Sequence, residues 1–496
     1  MNDVSVDRGP IVVASNRGPV SFETGDDGEL SWIRGSGGLV TALTGALEAT
    51  HGEWVSAAMG DGDIAAAQRA GGKPIDLGSE GLDLRMRYLE IPPKDYDGYY
   101  NGIANGVLWF AFHYLWDTVR SPTFHEEVFD AWDAYVRVNQ MFADALAEDA
   151  TDDTTFLIQD YHLALVPRML RELRPDALIT HFSHTPFAGP GYMRILPTRV
   201  RDQLLHGMLG ADVLGFQGHD WAESFLNSAR LLPSVRVDLT RSRIRVDGRE
   251  VLVRVHPVSV DAAALRQSAA TPQVRRRRTE LERWRGDTKL LLRVDRLELS
   301  KNIPRGFQAF ERMLERFPSW RGRVKFLAML SPSRQELPEY RTYGDECRDE
   351  AARINERFGT QAWTPIDVRI REDYEGALAA YSLYDALLVN PVFDGMNLVA
   401  MEGPLLNRRH GALALSRNAG AFHRLGRYAV PLNPFDLEET AEAIHTALTM
   451  PEHERARRAR GLSRLVLANP PQRWVSDQLA DLERVRRRRI ARAAVT

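Results

Sequence analysis

The sequence predicts an α/β protein made of two doubly wound domains, and three observations carry that expectation. Short apolar runs alternate with longer amphipathic stretches along the chain, the pattern of parallel strands covered on both faces by helices. A length of 496 residues exceeds one ordinary core and suits two domains of roughly 200–250 residues each. One αβ series closes at His256-Pro257-Val258-Ser259-Val260-Asp261, and a new one opens at Lys289, so a boundary falls near residues 256–275.

Taken in chain order, Ile11–Ser15, Thr155–Gln159, Leu178–Ser183 and Val213–Phe216 read as buried strands of the first domain. Lys289–Val294, Val324–Met329 and Ala386–Asn390 read as those of the second, the last within an extended stretch over Tyr384–Val392. Helical periodicity marks Leu39–Leu47, Val128–Ala147, Leu163–Leu173, Ile303–Arg316 and Leu398–Leu406. Thr271-Pro272-Gln273 has the composition of a linker between the domains.

Composition excludes several classes. An apolar content of 44% and a charged content of 26% are ordinary for a globular protein. A formal net charge of −3 argues against a nucleic-acid or anionic-membrane partner. The arginine runs at 275–278 and 486–489 read as solvated helix faces, since no aromatic residues are interleaved with them. The single cysteine, Cys347, allows neither an internal disulfide nor a cysteine-based zinc site. The first apolar run, Ile11-Val12-Val13-Ala14, is too short for a signal peptide, and no apolar run is long enough to cross a bilayer. A cytoplasmic location is therefore expected. Gly-x-Ser-x-Gly, His-Glu-x-x-His and Walker patterns are absent, so no nucleophile elbow, metal site or cofactor is expected.

Chemistry-bearing residues gather where strands end. Asp394-Gly395-Met396-Asn397 forms the turn between a strand and the helix opening at Leu398. Such a turn presents unpaired N–H groups at a positive helix end, which is an anion site. Glu402 lies one helical turn on and can return its carboxylate to the same end, although an ordinary capped βα turn would read the same. Arg296 and Lys301 stand five residues apart after the strand Lys289–Val294. They suit a diphosphate, the guanidinium gripping two oxygens and the ammonium acting as a point charge; surface salt bridges are the alternative. In the amino half, Ser15-Asn16-Arg17 leaves the first strand, and Gly35-Ser36-Gly37-Gly38 precedes a helix where backbone can approach a phosphate or sugar. Asp160-Tyr161-His162 and His184-Thr185-Pro186 follow two further strands, and two polar strand tips in one half-sheet favour a sugar-binding wall. Tyr99-Tyr100-Asn101 and Leu108-Trp109-Phe110 add aromatic faces, either for stacking on sugar rings or for filling the core.

These stretches, in this order, resemble the trehalose-6-phosphate synthases, retaining glycosyltransferases of family 20. The matching segments are VVASNR, GSGGLV, YYNGIANGVLWFAFHY, QDYHL, HGMLGADVLGFQ, RINERFG, WTP, DGMNLVA and NPFD, spanning Val12 to about Leu482. The resemblance implies a GT-B architecture, two Rossmann-like domains facing across a central crevice. Residues 1–257 would bind the acceptor, joined by a C-terminal helix over 473–496, and residues 258–472 would bind the nucleotide sugar. It implies transfer of glucose from a nucleotide diphosphate glucose to glucose 6-phosphate, giving α,α-trehalose 6-phosphate. Arg296, Lys301, Asp160 and His184 would carry the catalysis. Arg296 and Lys301 would bind the donor diphosphate, with the backbone of Leu398 and Val399 and the close approach of Gly37 and Gly38. Asp394, Gly395, Met396, Asn397 and His184 would hold the glucosyl unit, and Glu402 the ribose. Tyr100, Trp109 and Asp160 would position the acceptor, and Arg17 and Arg334 its phosphate. The family reaction proceeds on one face of the sugar and needs no metal, because cations and a helix end neutralise the leaving group. The partners implied are small molecules, with a homo-oligomer left open.

Four departures stand out. The family's Phe-Gly-Trp stretch is replaced near Trp54-Val55-Ser56-Ala57-Ala58-Met59-Gly60, so an acceptor-side tryptophan is missing. The usual Arg-Leu-Asp-x-x-Lys-Gly is Arg-Leu-Glu-Leu-Ser-Lys-Asn, with Glu298 and Asn302 as substitutions. Phe393 replaces a common arginine. The stretch Ile366–Tyr374 carries Asp367, Glu372 and Asp373, where a carboxylate could read the amino edge of guanine, so GDP-glucose is expected to serve at least as well as UDP-glucose. Two competing readings follow: a pseudo-glycosyltransferase of the validoxylamine-phosphate type, and a non-catalytic regulatory subunit that binds sugar phosphates.

Overall fold

The computed structural model describes residues 9–25, 29–35, 38–48, 50–78 and 81–493. The chain divides into two compact units, one of Met1–Val258 with Pro471–Thr496 and one of Ser259–Pro470. The chain thus passes between units twice, at Val258–Ser259 and at Pro470–Pro471. Among the described residues no helix is long and apolar enough to cross a membrane.

The first unit holds β1 Ile11–Ala14, β2 Val20–Thr24, β3 Leu30–Arg34, β4 Glu53–Ala57, β5 Ile75–Asp76 and β6 Arg85–Leu89. It continues with β7 Thr155–Gln159, β8 Leu178–Ser183, β9 Val213–Phe216, β10 Arg236–Asp238, β11 Arg243–Val246 and β12 Arg249–Val255. β2 and β3 form a separate antiparallel hairpin. The others make one sheet in the order β10-β11-β12-β9-β8-β7-β1-β4-β6-β5, parallel from β12 to β6. The chain winds from β1 to one side and from β7 to the other, so the topological switch point lies between β1 and β7. β1, β4, β7 and β8 are buried throughout, as the central strands of a doubly covered sheet must be.

The second unit holds β13 Lys289–Arg296, β14 Val324–Ser331, β15 Ile366–Ile370, β16 Ala386–Val389, β17 Ala412–Ser416 and β18 Val430–Leu432. Its all-parallel sheet runs β15-β14-β13-β16-β17-β18 and switches direction between β13 and β16. Its core packs the helix Ile303–Arg316, through Phe307, Phe310 and Leu314, against Phe326 and Leu291.

Several expectations are corrected. Thr271-Pro272-Gln273 is no linker. The Thr271 hydroxyl caps a helix over Pro272–Arg285, and Pro272 fits its first turn, where the missing N–H costs nothing. The stretch 163–173 is a 3₁₀ turn at Tyr161–Leu163 followed by a helix over Val166–Leu173. The strand ahead of Asp394 ends at Val389, since the following residues turn away from the ladder. Around Tyr100 the chain forms a π-helix over Gly98–Leu108. A Cβ at Gly98 or Gly102 would lie 2.9 Å from Ala134 or Ala131 Cβ, so both glycines permit close packing on the helix Glu126–Glu148.

The arginine run 486–489 is more than a solvated face. On the C-terminal helix Pro471–Ala493, Arg488 pairs with Glu250 at 3.2 Å and Arg486 donates to the Asp153 carbonyl. Arg489 pairs with Asp212, and that carboxylate, 1% exposed, also takes Arg171 at 2.9 Å and the Ile179 N–H. Asp212 therefore locks the last helix to the first unit's sheet. Removing one member of a buried ion pair strands the others, so Asp212→Ala is expected to cost about 3–5 kcal/mol. A chemical denaturation series on the first unit's transition checks it, and a loss below about 1 kcal/mol would remove Asp212 as the lock.

Candidate active site

Each sheet places polar side chains at its switch point, where strand ends diverge and leave a cleft. In the second unit β13 ends at Arg296, and the loop to the next helix carries Glu298 and the 3₁₀ turn Leu299–Lys301. β14 lies parallel to β13, with Ser331 beside Arg296, and this register sets Ser333 and Arg334 next to Glu298. On the other side of the switch, β16 leads to the Asp394–Asn397 turn and the helix Val399–Leu406.

The buried Arg293 frames this edge. Fully enclosed in β13, it donates to Asp295, to the carbonyls of Lys301 and Ile303, and to Asn390. Asn390 and Asn302 then bond to each other's carbonyls, and Asn302 also reaches the Pro434 carbonyl at 2.8 Å. Asn302 is left-handed, with φ 59° and ψ 43°. That conformation explains the family's glycine here, and asparagine is among the few other residues that adopt it readily. The substitution keeps the loop geometry.

Lys301 Nζ lies 2.5 Å from Asp394 Oδ2, across the switch point. Asp394 also accepts from Asn397 Nδ2 at 3.1 Å, and Asn397 Oδ1 takes the Ala400 N–H at the helix start. Burial by itself would lower the pKa of Lys301, but Asp394, Glu298 and Asp295 raise it, so the ammonium stays charged. The turn rests on the loop 418–421, where Gly420 N bonds the Asp394 carbonyl and Ala421 N that of Met396. A Cβ at Gly420 would sit 1.9 Å from the Gly395 carbonyl oxygen, so this contact requires glycine. The first N–H groups of the helix, beginning at Leu398 and Val399, therefore have a fixed place. Glu402 accepts from Tyr381 OH at 3.1 Å, and burial raises its pKa against that bond.

Glu298 is fully buried. Its Oε1 accepts from Ser333 Oγ at 2.9 Å and Arg334 Nη1 at 2.5 Å, and Arg296 Nη1 pairs with it at 3.0 Å. Burial would raise its pKa, but the charges of Arg296, Arg334 and Lys301 bring it down to about 2. Sequence reasoning gave roles to the two arginines and noted the carboxylate between them only as a substitution.

In the first unit, Asn16 and Arg17 leave β1 beside Asp160, which leaves β7. Asn16 Oδ1 accepts from Tyr99 OH at 3.0 Å, and Arg17 is exposed. Tyr100 stacks on His162, with ring centroids 5.7 Å apart, and on Tyr96. Trp109 is 6% exposed and stacks on His113 at 3.8 Å, so most of its ring serves the core. Asp160 has φ 69°, a strained conformation for a non-glycine residue, and its Oδ1 accepts the His184 N–H at 3.2 Å. Trp54 does not replace the missing tryptophan. It is core, 1% exposed, with its N–H on Ser15 Oγ. Met59 stands after β4 instead, accepting from Tyr96 OH at 2.9 Å.

His184 is placed differently from a proton donor. Gln217 Nε2 donates to its Nδ1 at 3.2 Å, so Nε2 carries the proton and donates to Gln159 Oε1 at 3.1 Å. Both nitrogens are thus engaged within the unit. Burial and the neighbouring His181 lower its pKa to about 3. His184 is therefore a neutral wall residue rather than an acid, and its ring packs against Trp474, 5.6 Å away.

Two of the three carboxylates expected to read a guanine are committed elsewhere. Asp367 pairs with Arg369 at 2.8 Å, and Asp373 caps its helix through Gly376 N and pairs with Arg371. Glu372 is exposed. Gly37 lies outside the described residues, and Gly38 opens the helix Gly38–Glu48.

Two doubly wound units, with cations, a helix end and polar strand tips at their switch points, define a GT-B glycosyltransferase. The chain belongs to glycosyltransferase family 20, whose model matches residues 9–484. It is 33% identical over 481 residues to an α,α-trehalose-phosphate synthase [UDP-forming] of Schizosaccharomyces pombe, covering 96% of this chain and 90% of that protein. It is 35% identical over 489 residues to a trehalose-6-phosphate synthase of Mycobacterium marinum, covering 95% and 93%. An E. coli structure bound with UDP-2-fluoro glucose superposes with a TM-score of 0.82 at 30% identity, over 96% of this chain and 99% of that one. A UDP-forming α,α-trehalose-phosphate synthase from Burkholderia xenovorans in complex with glucose-6-phosphate gives 0.81 at 28% identity, over 96% and 100%.

A histidine kept neutral by the fold binds fewer protons than the unfolded chain between pH 6.5 and about 3, so stability is lost as pH falls through that window. His184→Asn removes this contribution. Melting temperatures followed from neutral to acid pH should fall less steeply for the variant than for the parent. An identical acid slope would count against the buried neutral histidine.

Proposed function

We propose that the chain transfers glucose from UDP-glucose to glucose 6-phosphate, giving α,α-trehalose 6-phosphate and UDP with the donor's α configuration retained. One observation carries this reading: Arg296, Lys301 and the start of the helix Val399–Leu406 gather at one switch point, a site for a departing diphosphate. The relatives' UDP-forming activity supports the choice of donor, as does the engagement of Asp367 and Asp373, which weakens the case for guanine.

In the proposed reaction the bond from the glucosyl anomeric carbon to the β-phosphate oxygen breaks as one to the acceptor's anomeric hydroxyl oxygen forms on the same face. The hydroxyl proton passes to the departing phosphate oxygen. Arg296, Lys301 and the N–H groups of Leu398 and Val399 take the charge that develops there. Glu402 receives the ribose, and the Asp394–Asn397 turn and the His184 wall hold the glucosyl unit. Asp160, Tyr100 and Trp109 set the acceptor, with Arg17 and Arg334 on its phosphate. This route needs no enzymic nucleophile, which suits a site whose carboxylates Glu298 and Asp394 are bound to cations. The glycine-like geometry at Asn302 favours this reading over an aminocyclitol-phosphate coupling, toward which that substitution otherwise leans.

Incubation with glucose 6-phosphate should release UDP from UDP-glucose faster than GDP from GDP-glucose at equal concentrations. Equal or faster GDP release would reverse the donor assignment, and no release from either would remove the activity. Arg296→Ala should lower kcat/KM by roughly 10²–10³-fold, because a leaving-group contact acts mainly in the transition state. Unchanged turnover would displace Arg296 from the site.

A further inference from the structure

We infer that Glu298 is a positioning residue whose single carboxylate oxygen sets both the donor-diphosphate arginine, Arg296, and the acceptor-phosphate arginine, Arg334. The inference rests on the proposed reaction and goes beyond it, because it makes the two phosphate sites one construction rather than two.

The geometry is unusual in its economy of acceptors. Ser333, Arg334 and Arg296 converge on Oε1, at 2.9, 2.5 and 3.0 Å. Two guanidiniums bearing like charge sit on one oxygen, an arrangement only a buried anion between them can hold. The arginines differ in freedom. Arg334's side chain is 11% exposed and Arg296's is 54% exposed. Arg334 also has φ 45°, a left-handed conformation that a residue with a side chain adopts only under constraint. Its guanidinium lies over the Tyr340 ring, 5.7 Å from the centroid, so Glu298 and Tyr340 together fix its direction. The strand register supplies the rest. β13 and β14 are paired through Arg296 and Ser331, and Leu297 N bonds the Ser331 carbonyl at 2.7 Å, so the two loops leave the sheet as a unit.

A guanidinium binds phosphate through a planar fork, and its affinity depends on orientation as well as charge. Glu298 repels phosphate, yet it is enclosed behind the guanidiniums, and the direction it gives them outweighs that repulsion. Its charge is constant across the working range, since the carboxyl titrates at about 2. It therefore acts by placement and not as a proton carrier.

Calorimetric binding of UDP alone and of glucose 6-phosphate alone tests this. Loss of a charge-assisted bond is worth roughly tenfold, so Glu298→Gln should weaken both ligands by about that factor. Glu298→Asp, which keeps the charge and matches the family pattern, should stay within about threefold of the parent for both. Ser333→Ala removes a neutral donor from the same oxygen and should weaken both by about two- to threefold, which keeps the test open if Glu298→Gln does not fold. An effect of Glu298→Gln on one ligand only, unchanged binding of both, or tighter binding of both would overturn the inference. The parent's UDP release with glucose 6-phosphate is measured alongside. If the parent is active and Glu298→Gln binds normally, the positioning role fails while the proposed reaction stands.

Discussion

The ion pair of Lys301 with Asp394 is the interaction on which the second unit's site depends. It spans the point where the sheet changes winding direction, beside one backbone bond between the two loops, Val392 N–H to the Ser300 carbonyl at 2.9 Å. Strand ends diverge there, and side chains supply most of the contacts that close the gap. The Asp394 carboxylate fixes Lys301 and, through Asn397, the first turn of the helix Val399–Leu406. Arg293, Asn390 and Asn302 brace the same gap from beneath, so the cation and helix end are set before any ligand arrives. Preorganised charge of this kind spares the reaction the cost of turning dipoles toward a departing diphosphate.

Charge balance gives the rest of that edge its form. Arg296, Lys301 and Arg334 could not share so small a volume without anions, and Glu298 and Asp394 supply them from inside. Glu298 is buried, Asp394 is partly buried and the guanidinium of Arg296 is outermost, so the outer face of the cluster is positive. The first unit answers a different demand. Its switch point is lined by Asn16, Asp160 and His184 with aromatic rings behind them, a directional surface suited to hydroxyl groups. Gln159 and Gln217 hold His184 from both sides, and the Gln217 carbonyl oxygen also takes the Val258 N–H at 2.9 Å, where the chain leaves the unit. The wall is therefore anchored at the crossing itself.

Much of this was legible in the residue pattern. The buried strands announced themselves as apolar runs, and their polar exits marked Asp160, His184, Arg296 and Asp394, because a strand pattern fixes where a chain emerges from a sheet. Glu298 and Arg293 were not legible as site residues. A carboxylate two residues from an arginine reads as a surface pair, and an arginine inside a strand has no signal for the carbonyls it will meet. Nor did the sequence show that Asp367 and Asp373 would each engage the arginine two residues away.

By itself the sequence determined the two doubly wound units, the strand exits and the class of chemistry they serve, since local periodicity and residue type act over a few residues. Only the tertiary structure decided which charges meet. The register of β13 on β14 placed Arg334 beside Glu298, and the reversal between β13 and β16 brought Lys301 to Asp394, 93 positions along the chain. Gln217 met His184 33 positions away and fixed the proton on its Nε2. Those pairings depend on through-space distances of about 3 Å between segments far apart in the chain, and no spacing within a single segment encodes them.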